Sequence, residues 1–368
     1  MQVYNRTPYL WFPTMGMDVA GREFLVLVIK GSFAFPERPN DPLQPLAQQV
    51  PFVTADRFTG EPGFSATLWE TDFAFRKRAC DVVVQGAAHA PGGKPAEKVQ
   101  VGLRIGQWSK SFHVVGHREW VVVGPSVSAT RPHPFTRQAF SYDTAFGGRD
   151  LSNPEDDKPP AYAENPSGRG YAHPKNQSRL GGRPLPNTEE IDRPITSPYE
   201  SYRPMALGPL TRSVPRRLKY GGTYDKNWED NIFPFLPPDF DERYYQQTGE
   251  DQQIAPPVPG TEVVLLNLTP QGREGFRLPE TRLPLRLFRG RETVFEDTVL
   301  PDTLLFDTEA RCLSMVWRVS VPIRRHLTEF RQAWIGPPSR GMLRAHRAGK
   351  SYIGHESQRA DLDPEPAA

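Results

Sequence analysis

The sequence predicts a mainly β protein, with antiparallel sandwich or distorted barrel elements at both ends and one amphipathic helix near the C-terminus. Residues 24–29 are apolar, partly β-branched and bounded by Gly21 and Gly31, a pattern typical of a strand buried on both faces. Residues 99–105 and 313–321 alternate with the period of two that a half-buried strand requires. The chain also has 40 prolines against 30 glycines in 368 residues, which favours stiff turns and strand ends over flexible chain.

Four segments are predicted along the chain. Residues 1–130 form an N-terminal β region of short strands separated by Gly and Pro, and residues 259–336 form a C-terminal β region. Residues 131–258 form a long irregular segment, and residues 337–368 form a mobile tail. The sequence leaves open whether the two β regions build one sheet system or two domains.

The predicted helix lies in the C-terminal β region. Ile323, Leu327, Phe330 and Trp334 are spaced as one apolar stripe of a helix. Pro322 suits the first turn of such a helix, and the Gly-Pro pair at 336–337 suits its end.

The irregular segment, 131–258, is rich in aromatic residues. A disordered linker would be poor in them, because it has no core in which to bury them. Long ordered segments without regular structure tend to be functional. We therefore expect an ordered surface, and we look for function there.

Composition excludes several classes of function. With 45 Lys and Arg against 43 Asp and Glu, the net charge is +2, so nothing in the bulk charge points to nucleic acid or membrane partners. The N-terminus has no secretory signal pattern, and the longest apolar run is far too short to span a bilayer, so we expect a cytoplasmic protein. Cys80 and Cys312 form either one bridge or two buried free thiols, of which the free thiols are favoured.

No constellation of residues stands out as catalytic, metal-binding or cofactor-binding. Asp239 and Asp241 follow two prolines and suggest hard-cation ligands or acid catalysts, but such a sequence is more often a turn or a helix cap. The Gly-x-Ser-x-Gly, His-Glu-x-x-His, P-loop and dinucleotide signatures are missing. We expect no metal and no cofactor, and the missing signatures argue against an enzyme without excluding one. A hydrolase or carbohydrate-binding module using Asp239, Asp241 and neighbouring aromatics is the alternative.

Protein binding is the function that remains. Tyr, Trp and Arg dominate the residues that contribute most to protein–protein binding, and they recur between residues 142 and 245. For any one aromatic residue, a place in a second small core is an equal alternative. The candidate partner-binding residues are Phe146, Tyr171, Tyr224, Trp228, Phe235 and Phe240. Pairing of an exposed strand with partner backbone is a further way to bind.

Ordered motifs along most of the chain resemble a known bacterial family. They are Asn5-Arg6-Thr7-Pro8, Lys30-Gly31-Ser32-Phe33, Gly60-Glu61, Asp72 with Lys77, Asp81-Val82-Val83-Val84-Gln85-Gly86, Gly116-His117-Arg118-Glu119-Trp120, Ala145-Phe146-Gly147-Gly148, Asn165-Pro166-Ser167-Gly168-Arg169-Gly170, Leu185-Pro186-Asn187, Gly222-Thr223-Tyr224-Asp225, Trp228 and Leu236-Pro237-Pro238-Asp239-Phe240-Asp241. In this order they resemble the domain-of-unknown-function family DUF2169, found beside type VI secretion genes.

The resemblance implies a non-enzymatic accessory protein. Members look like cytoplasmic adaptors or chaperones that help load an effector onto the secretion spike of VgrG and PAAR proteins, some with a second chaperone. No catalytic residue carries over, and neither nucleic acid nor membrane is implied as a partner. The motif residues expected to serve turns and packing are Gly147, Gly148, Asn165, Gly168, Gly170, Pro186, Asn187, Gly222, Asp225, Asp239 and Asp241.

Overall fold

A computed structural model describes residues 1–38, 41–350 and 352. Strands make up 37% of the described residues and helices 11%, which confirms the mainly β class. The described residues form several sheets, and none of these closes into a barrel, so the barrel alternative is wrong.

The strands follow one another closely along the chain. In order they are β1 (Gln2–Asn5), β2 (Leu10–Met17), β3 (Glu23–Ala34), β4 (Gln44–Pro45), β5 (Arg57–Phe58), β6 (Thr67–Trp69), β7 (Cys80–Gln85), β8 (Ala87–His89), β9 (Lys98–Ile105), β10 (Trp108–Val115), β11 (Trp120–Val123), β12 (Ser126–Ala129), β13 (Arg137–Ala139), β14 (Phe146–Gly147), β15 (Arg169–Gly170), β16 (Thr188–Glu189), β17 (Gln253–Ile254), β18 (Glu262–Leu266), β19 (Arg273–Arg277), β20 (Leu283–Arg289), β21 (Glu292–Val299), β22 (Thr303–Asp307), β23 (Cys312–Pro322) and β24 (Phe330–Ile335).

The helices are few and short. The α-helices are α1 (Pro215–Leu218), α2 (Lys226–Asn231) and α3 (Arg340–Arg347). Single 3-10 turns occur at Pro91–Gly93, Tyr142–Thr144, Pro174–Arg179, Glu242–Tyr245, Glu250–Gln252 and Leu327–Glu329.

In the largest sheet, the long strand β3 lies next to the edge strand β2. The order of this sheet is β17-β7-β22-β23-β3-β2, with β4 also paired to β3. The side chains of Leu25, Leu27 and Ile29 enter the main core, whereas those of Phe24, Val26 and Val28 enter a smaller core on the other face. The predicted strand buried on both faces is therefore confirmed, and the continuous apolar run is explained by two cores that share one strand.

Strands from the two ends of the chain pair in three sheets. β3 pairs with β23 along its length, β9 pairs with β18, and β1 pairs with β24. The second sheet has the order β16-β10-β9-β18-β19, and the third has β1-β24-β20-β21. One apolar core contains side chains from all three sheets, including Ile29, Leu103 and Leu285. The N- and C-terminal β regions thus build one sheet system.

The helix predicted between Ile323 and Trp334 is wrong. Leu327–Glu329 is a 3-10 turn and Phe330–Ile335 is strand β24. β24 is hydrogen-bonded to β1 on one side and to β20 on the other, so its backbone is satisfied by pairing within the sheet. Phe330 lies in the main core, while Trp334 packs with Tyr4 and Phe288 in another cluster. The four apolar positions therefore do not share one helical face.

Part of the predicted mobile tail is a packed helix. α3 begins after Ser339, whose hydroxyl accepts a hydrogen bond from the Met342 backbone N–H at 3.1 Å. Met342 is buried in the cluster that contains Phe288 and Trp334. The part of the prediction that covers residues 351 and 353–368 lies outside the described residues.

Candidate functional site

Residues 220–241 leave the body of the protein and return to it at one place, and we call them the aromatic loop. At its base, the backbone N–H of Asp241 donates to the carbonyl of Tyr220 at 2.9 Å. The Asp239 carboxylate accepts hydrogen bonds from the backbone N–H and the hydroxyl of Thr223, at 3.0 and 2.7 Å. Three hydrogen bonds therefore close the loop.

Two motif residues shape the interior of the aromatic loop. Gly222 has φ +81°, a value that favours glycine, and a Cβ there would lie 3.0 Å from the Pro237 ring. The carboxylate of Asp225 accepts a hydrogen bond from the Trp228 backbone N–H at 2.9 Å and so caps α2. These residues serve turns and caps in the structure.

The aromatic loop presents four ring side chains, which we call the aromatic surface: Tyr224, Trp228, Phe233 and Phe235. Tyr224, Phe233 and Phe235 are 55%, 67% and 47% exposed. Trp228 is half-buried, and its indole N–H donates to the Phe235 carbonyl at 2.9 Å. The Trp228 ring contacts those of Tyr224 and Phe233 edge-on, with centroids 4.7 and 5.6 Å away. Trp228 therefore supports the three exposed rings.

The aromatic surface touches the β2–β3 turn. A Cβ on Gly21 would lie only 3.0 Å from the Phe235 ring, so the ring packs closely on this glycine. Val19, in the same turn, is 48% exposed, and Met15 at the end of β2 is 49% exposed. Exposed apolar residues in a group are typical of interaction sites.

Buried polar contacts hold the irregular segment against the N-terminal β region. Arg217 donates to both carboxylate oxygens of Glu70, at 2.5 and 2.6 Å, and to the Tyr244 carbonyl. The Asp81 carboxylate accepts hydrogen bonds from Lys77, at 2.7 Å, and from the backbone N–H and hydroxyl of Thr248. The base of the aromatic loop is thus fixed to a rigid scaffold.

Phe240 belongs to the base of the aromatic loop. It is half-buried, and its ring contacts those of Tyr244 and Tyr245 at 5.9 and 5.4 Å. It is less accessible to a partner than Phe233, which was not among the candidates predicted from the sequence.

Phe146 and Tyr171 lie in a separate aromatic core. Phe146 is fully buried against Tyr162 and Tyr202, so its predicted place at the surface is wrong. Tyr171 is half-buried and packs against the same cluster. The small-core interpretation therefore holds for Phe146, because its ring is fully buried and contacts the rings of Tyr162 and Tyr202 at 5.0 and 4.9 Å.

The remaining motif residues order this small core. The Asn165 side chain donates to the carbonyls of Tyr142 and Phe146 at 2.8 and 3.1 Å. Gly148 has φ +98°, and a Cβ there would overlap the carbonyl oxygen of Gly168. The others lie in the same region: Gly147 packs on Asn165, Gly170 on Pro186, and Asn187 donates to the Val115 carbonyl.

Replacing Asn165 with alanine should destabilise the protein without touching the aromatic surface. The change removes this donor from the Phe146 carbonyl and from the Tyr142 carbonyl, which keeps a longer bond from the Ala145 N–H at 3.3 Å. A buried group left unsatisfied costs about 1–3 kcal/mol. Urea unfolding measures the loss, and Asn153→Ala is a matched control at a more exposed asparagine. Equal stability of the two variants would contradict the structural role.

Asp239 and Asp241 have structural partners. The hydrogen bonds from Thr223 lower the pKa of Asp239. Hydrogen bonds from the Arg243 side chain, at 2.7 and 3.0 Å, lower the pKa of Asp241 to about 2. A general acid needs the opposite shift. Both carboxylates are therefore ionised at neutral pH and engaged in the loop.

A polar cavity at the foot of the aromatic loop was missed from the sequence. It encloses about 350 Å³ and is lined by Lys110, Tyr142, Arg216, Tyr220 and Asp251, among others. Since these residues are far apart in the chain, no spacing in the sequence signals that they meet. Lys110 is buried and donates to Asp251 and to Gln252, both at 2.7 Å.

Burial lowers the pKa of Lys110 by more than its partner Asp251 raises it. Burial lowers the pKa from 10.5 to about 8, although Asp251 opposes the shift; Arg203 and Arg216 lower it further. Between these two values, the unfolded chain binds more protons than the native protein, so the Lys110 contribution to stability rises with pH.

We expect the unfolding free energy of the wild type, minus that of Lys110→Met, to increase from pH 7.5 to pH 9.5. The slope for one proton is at most about 1.4 kcal/mol per pH unit. Urea unfolding at several pH values measures it, with Lys226→Met as control because Lys226 is on the surface. A difference that stays constant over this range would show that Lys110 does not titrate as described.

The cysteines are buried free thiols. Cys80 lies level with the residue before β22, and Cys312 pairs with the last residue of β22, so they are roughly 16 Å apart along the strand direction. A disulfide bridges Cα atoms less than about 7 Å apart. Burial raises the pKa of Cys80 and raises that of Cys312 to about 11. Both thiols are therefore protonated at neutral pH.

No group of three or more His, Cys, Asp or Glu side chains in the described part of the chain is arranged to hold a metal ion. None of the helices there is both long and apolar enough to cross a bilayer.

The fold and site define a class of protein: a mainly β scaffold that holds an irregular segment with exposed aromatic rings. The profile of a family described as "Uncharacterized protein conserved in bacteria (DUF2169)" matches residues 20–318. The chain belongs to this family, which confirms the resemblance seen in the motifs. No curated protein and no solved structure matched the chain.

Proposed function

We propose that this protein is a non-enzymatic accessory of type VI secretion, an adaptor or chaperone that helps load an effector onto the VgrG/PAAR spike. The observation that carries the binding role is the aromatic surface, with Phe233 67% and Tyr224 55% exposed. The link to secretion rests on the resemblance drawn from the sequence motifs. A second chaperone is a further expected partner.

The aromatic surface suits holding a partner. Exposed aromatic rings supply large contact areas with little loss of side-chain freedom, and they dominate the energetics of protein interfaces. Closure of the aromatic loop by Asp239 and Thr223 fixes the rings before binding, which lowers the entropic cost of association. An apolar segment of an effector would be shielded there until the spike takes over.

Strand addition is a weaker mode of binding for this protein. β2 lies at the edge of the large sheet, where partner backbone could pair. However, Pro13 lies in the middle of β2 and has no N–H to donate. The aromatic surface is therefore the favoured docking site.

The alternative is a hydrolase or carbohydrate-binding module that uses Asp239 and Asp241. Exposed rings would also stack on sugars, which supports the binding half of this alternative. The lowered pKa of both carboxyl groups argues against Asp239 and Asp241 as the general acids of a hydrolase. A glycan that binds through Tyr224 and Phe233 would favour the alternative over the adaptor.

Deleting the gene in its native bacterium tests the secretion role. We expect the cognate effector to disappear from the culture supernatant while export of the secretion tube protein continues. An adaptor is needed to load the effector but not to assemble the secretion apparatus. Complementation with the intact gene is the control. Unchanged export of every effector would contradict the proposal.

A further inference from the structure

The polar cavity at the foot of the aromatic loop contains Arg216, which forms no ion pair in the described structure. Asp251 attracts it from beyond ion-pair distance but is already paired with Lys110 and Arg203. Among the described residues, no carboxylate lies within ion-pair distance of Arg216, although six cationic side chains line the cavity. Arg217 is neutralised by Glu70 and Arg243 by Asp241, while Lys110 and Arg203 share Asp251.

The guanidinium of Arg216 makes few hydrogen bonds in the described structure. Its one protein hydrogen bond in the described structure is a long contact of 3.5 Å from Nη2 to the Tyr142 hydroxyl. Its Nε is buried and has no hydrogen-bond partner there. An arginine has five N–H donors, so most of its capacity is unused. An oxyanion in the cavity would accept from the free Nη donors and neutralise the charge.

The charges of the cavity favour a singly charged ligand. Its cations outside the pairs with Glu70 and Asp241 are Lys110, Arg203, Arg216 and Lys219, and its anions are Glu164, Glu250 and Asp251. The excess is therefore one positive charge. A doubly charged phosphate exceeds this excess of one charge, whereas one carboxylate matches both the charge and the planar fork of a guanidinium.

The position of the cavity connects it to the aromatic surface. Tyr220 and Arg243 line the cavity, and both also belong to the base of the aromatic loop through their bonds to Asp241. A protein seated on the aromatic surface would have the cavity within reach of its acidic side chains.

We propose that the cavity binds a carboxylate of the partner protein, with Arg216 as its main donor. The identity of the ligand's source rests on the proposed adaptor function. The existence of the site does not, because the isolated protein would bind a small carboxylate as well.

The first arm of the test uses small probes on the full chain. N-acetyl-glutamate amide carries a side-chain carboxylate, N-acetyl-glycine carries a terminal one, and N-acetyl-glutamine amide is a neutral isostere. By calorimetry at constant ionic strength, we expect one or both acids to bind and the neutral amide not to bind. Arg216→Gln should weaken the acid by about tenfold or more, and Arg216→Lys should weaken it less.

The control variant is Arg331→Gln, because Arg331 is exposed on β24 and distant in sequence from the cavity. Acid binding that survives Arg216→Gln, or that is absent in the wild type, would overturn the site. Inorganic phosphate that binds tenfold more tightly than either acid would overturn the carboxylate assignment. Tighter binding of N-acetyl-glutamate amide would indicate that the site takes a side-chain carboxylate, and tighter binding of N-acetyl-glycine would indicate a C-terminal one.

The second arm measures the affinity of the partner complex. Arg216→Gln should weaken it by about tenfold, with the native circular dichroism spectrum and melting temperature kept. If the acid probe needs Arg216 but the complex does not, the partner assignment is wrong while the adaptor function stands. If no partner exists, the adaptor function fails and the first arm alone decides whether the site is real.

Discussion

Replacing Glu70 with alanine is expected to lower the free energy of unfolding by about 3–5 kcal/mol. Glu70 and Arg217 are both almost fully buried, and the guanidinium donates to both oxygens of the carboxylate. Removing Glu70 leaves the buried charge of Arg217 without its partner. Chemical denaturation of the purified variant measures the loss.

Glu292→Ala is the matched control for Glu70→Ala. Glu292 also pairs with an arginine, Arg324, but at 3.4 Å and with more than half of each side chain exposed. Exposed pairs of this kind contribute about 0–1 kcal/mol. A similar loss in the two variants would contradict the account in which Glu70 and Arg217 fix the base of the aromatic loop.

The second large effect is expected on binding. Changing Phe233 and Phe235 together to serine should weaken the partner complex by about 100-fold or more, because each exposed aromatic in an interface centre contributes roughly 2 kcal/mol. The fold should survive, since Phe233 is 67% and Phe235 47% exposed and neither lies in a buried core cluster. Calorimetry or surface plasmon resonance with the purified partner gives the dissociation constant.

The control for the double variant is Val123→Ser with Leu151→Ser. These residues are 69% and 62% exposed but lie outside the aromatic loop. We expect this control to bind like the wild type. Equal weakening by both double variants would mean that general surface hydrophobicity, rather than the aromatic surface, determines binding.

The strands were the most predictable part of the fold. β3 and β23 carry unbroken apolar runs or strict alternation, and such patterns follow directly from how side chains leave a strand. The helix expected at 323–334 was wrong because the apolar spacing says nothing about strand partners. Pairing with β1 and β20 makes residues 330–335 a strand, and Leu327 lies in a 3-10 turn before it.

The candidate site was predictable only in part. The aromatic composition of the irregular segment was enough to propose Tyr224, Trp228 and Phe235. Aromatic side chains in an ordered segment are covered either by a core or by a binding partner. Phe146 looks the same in the sequence, and only the tertiary structure buries it. The cavity around Arg216 joins residues from several distant segments, so a single sequence holds no local signal for it.

The most direct test of the adaptor account is affinity capture of the tagged full chain from its native bacterium, with co-purifying proteins identified by mass spectrometry. The account predicts stoichiometric recovery of an effector, a PAAR or VgrG protein, or a second chaperone with the wild type, and its loss with the Phe233→Ser, Phe235→Ser variant. Recovery of the chain alone, while those proteins are demonstrably expressed, would contradict it.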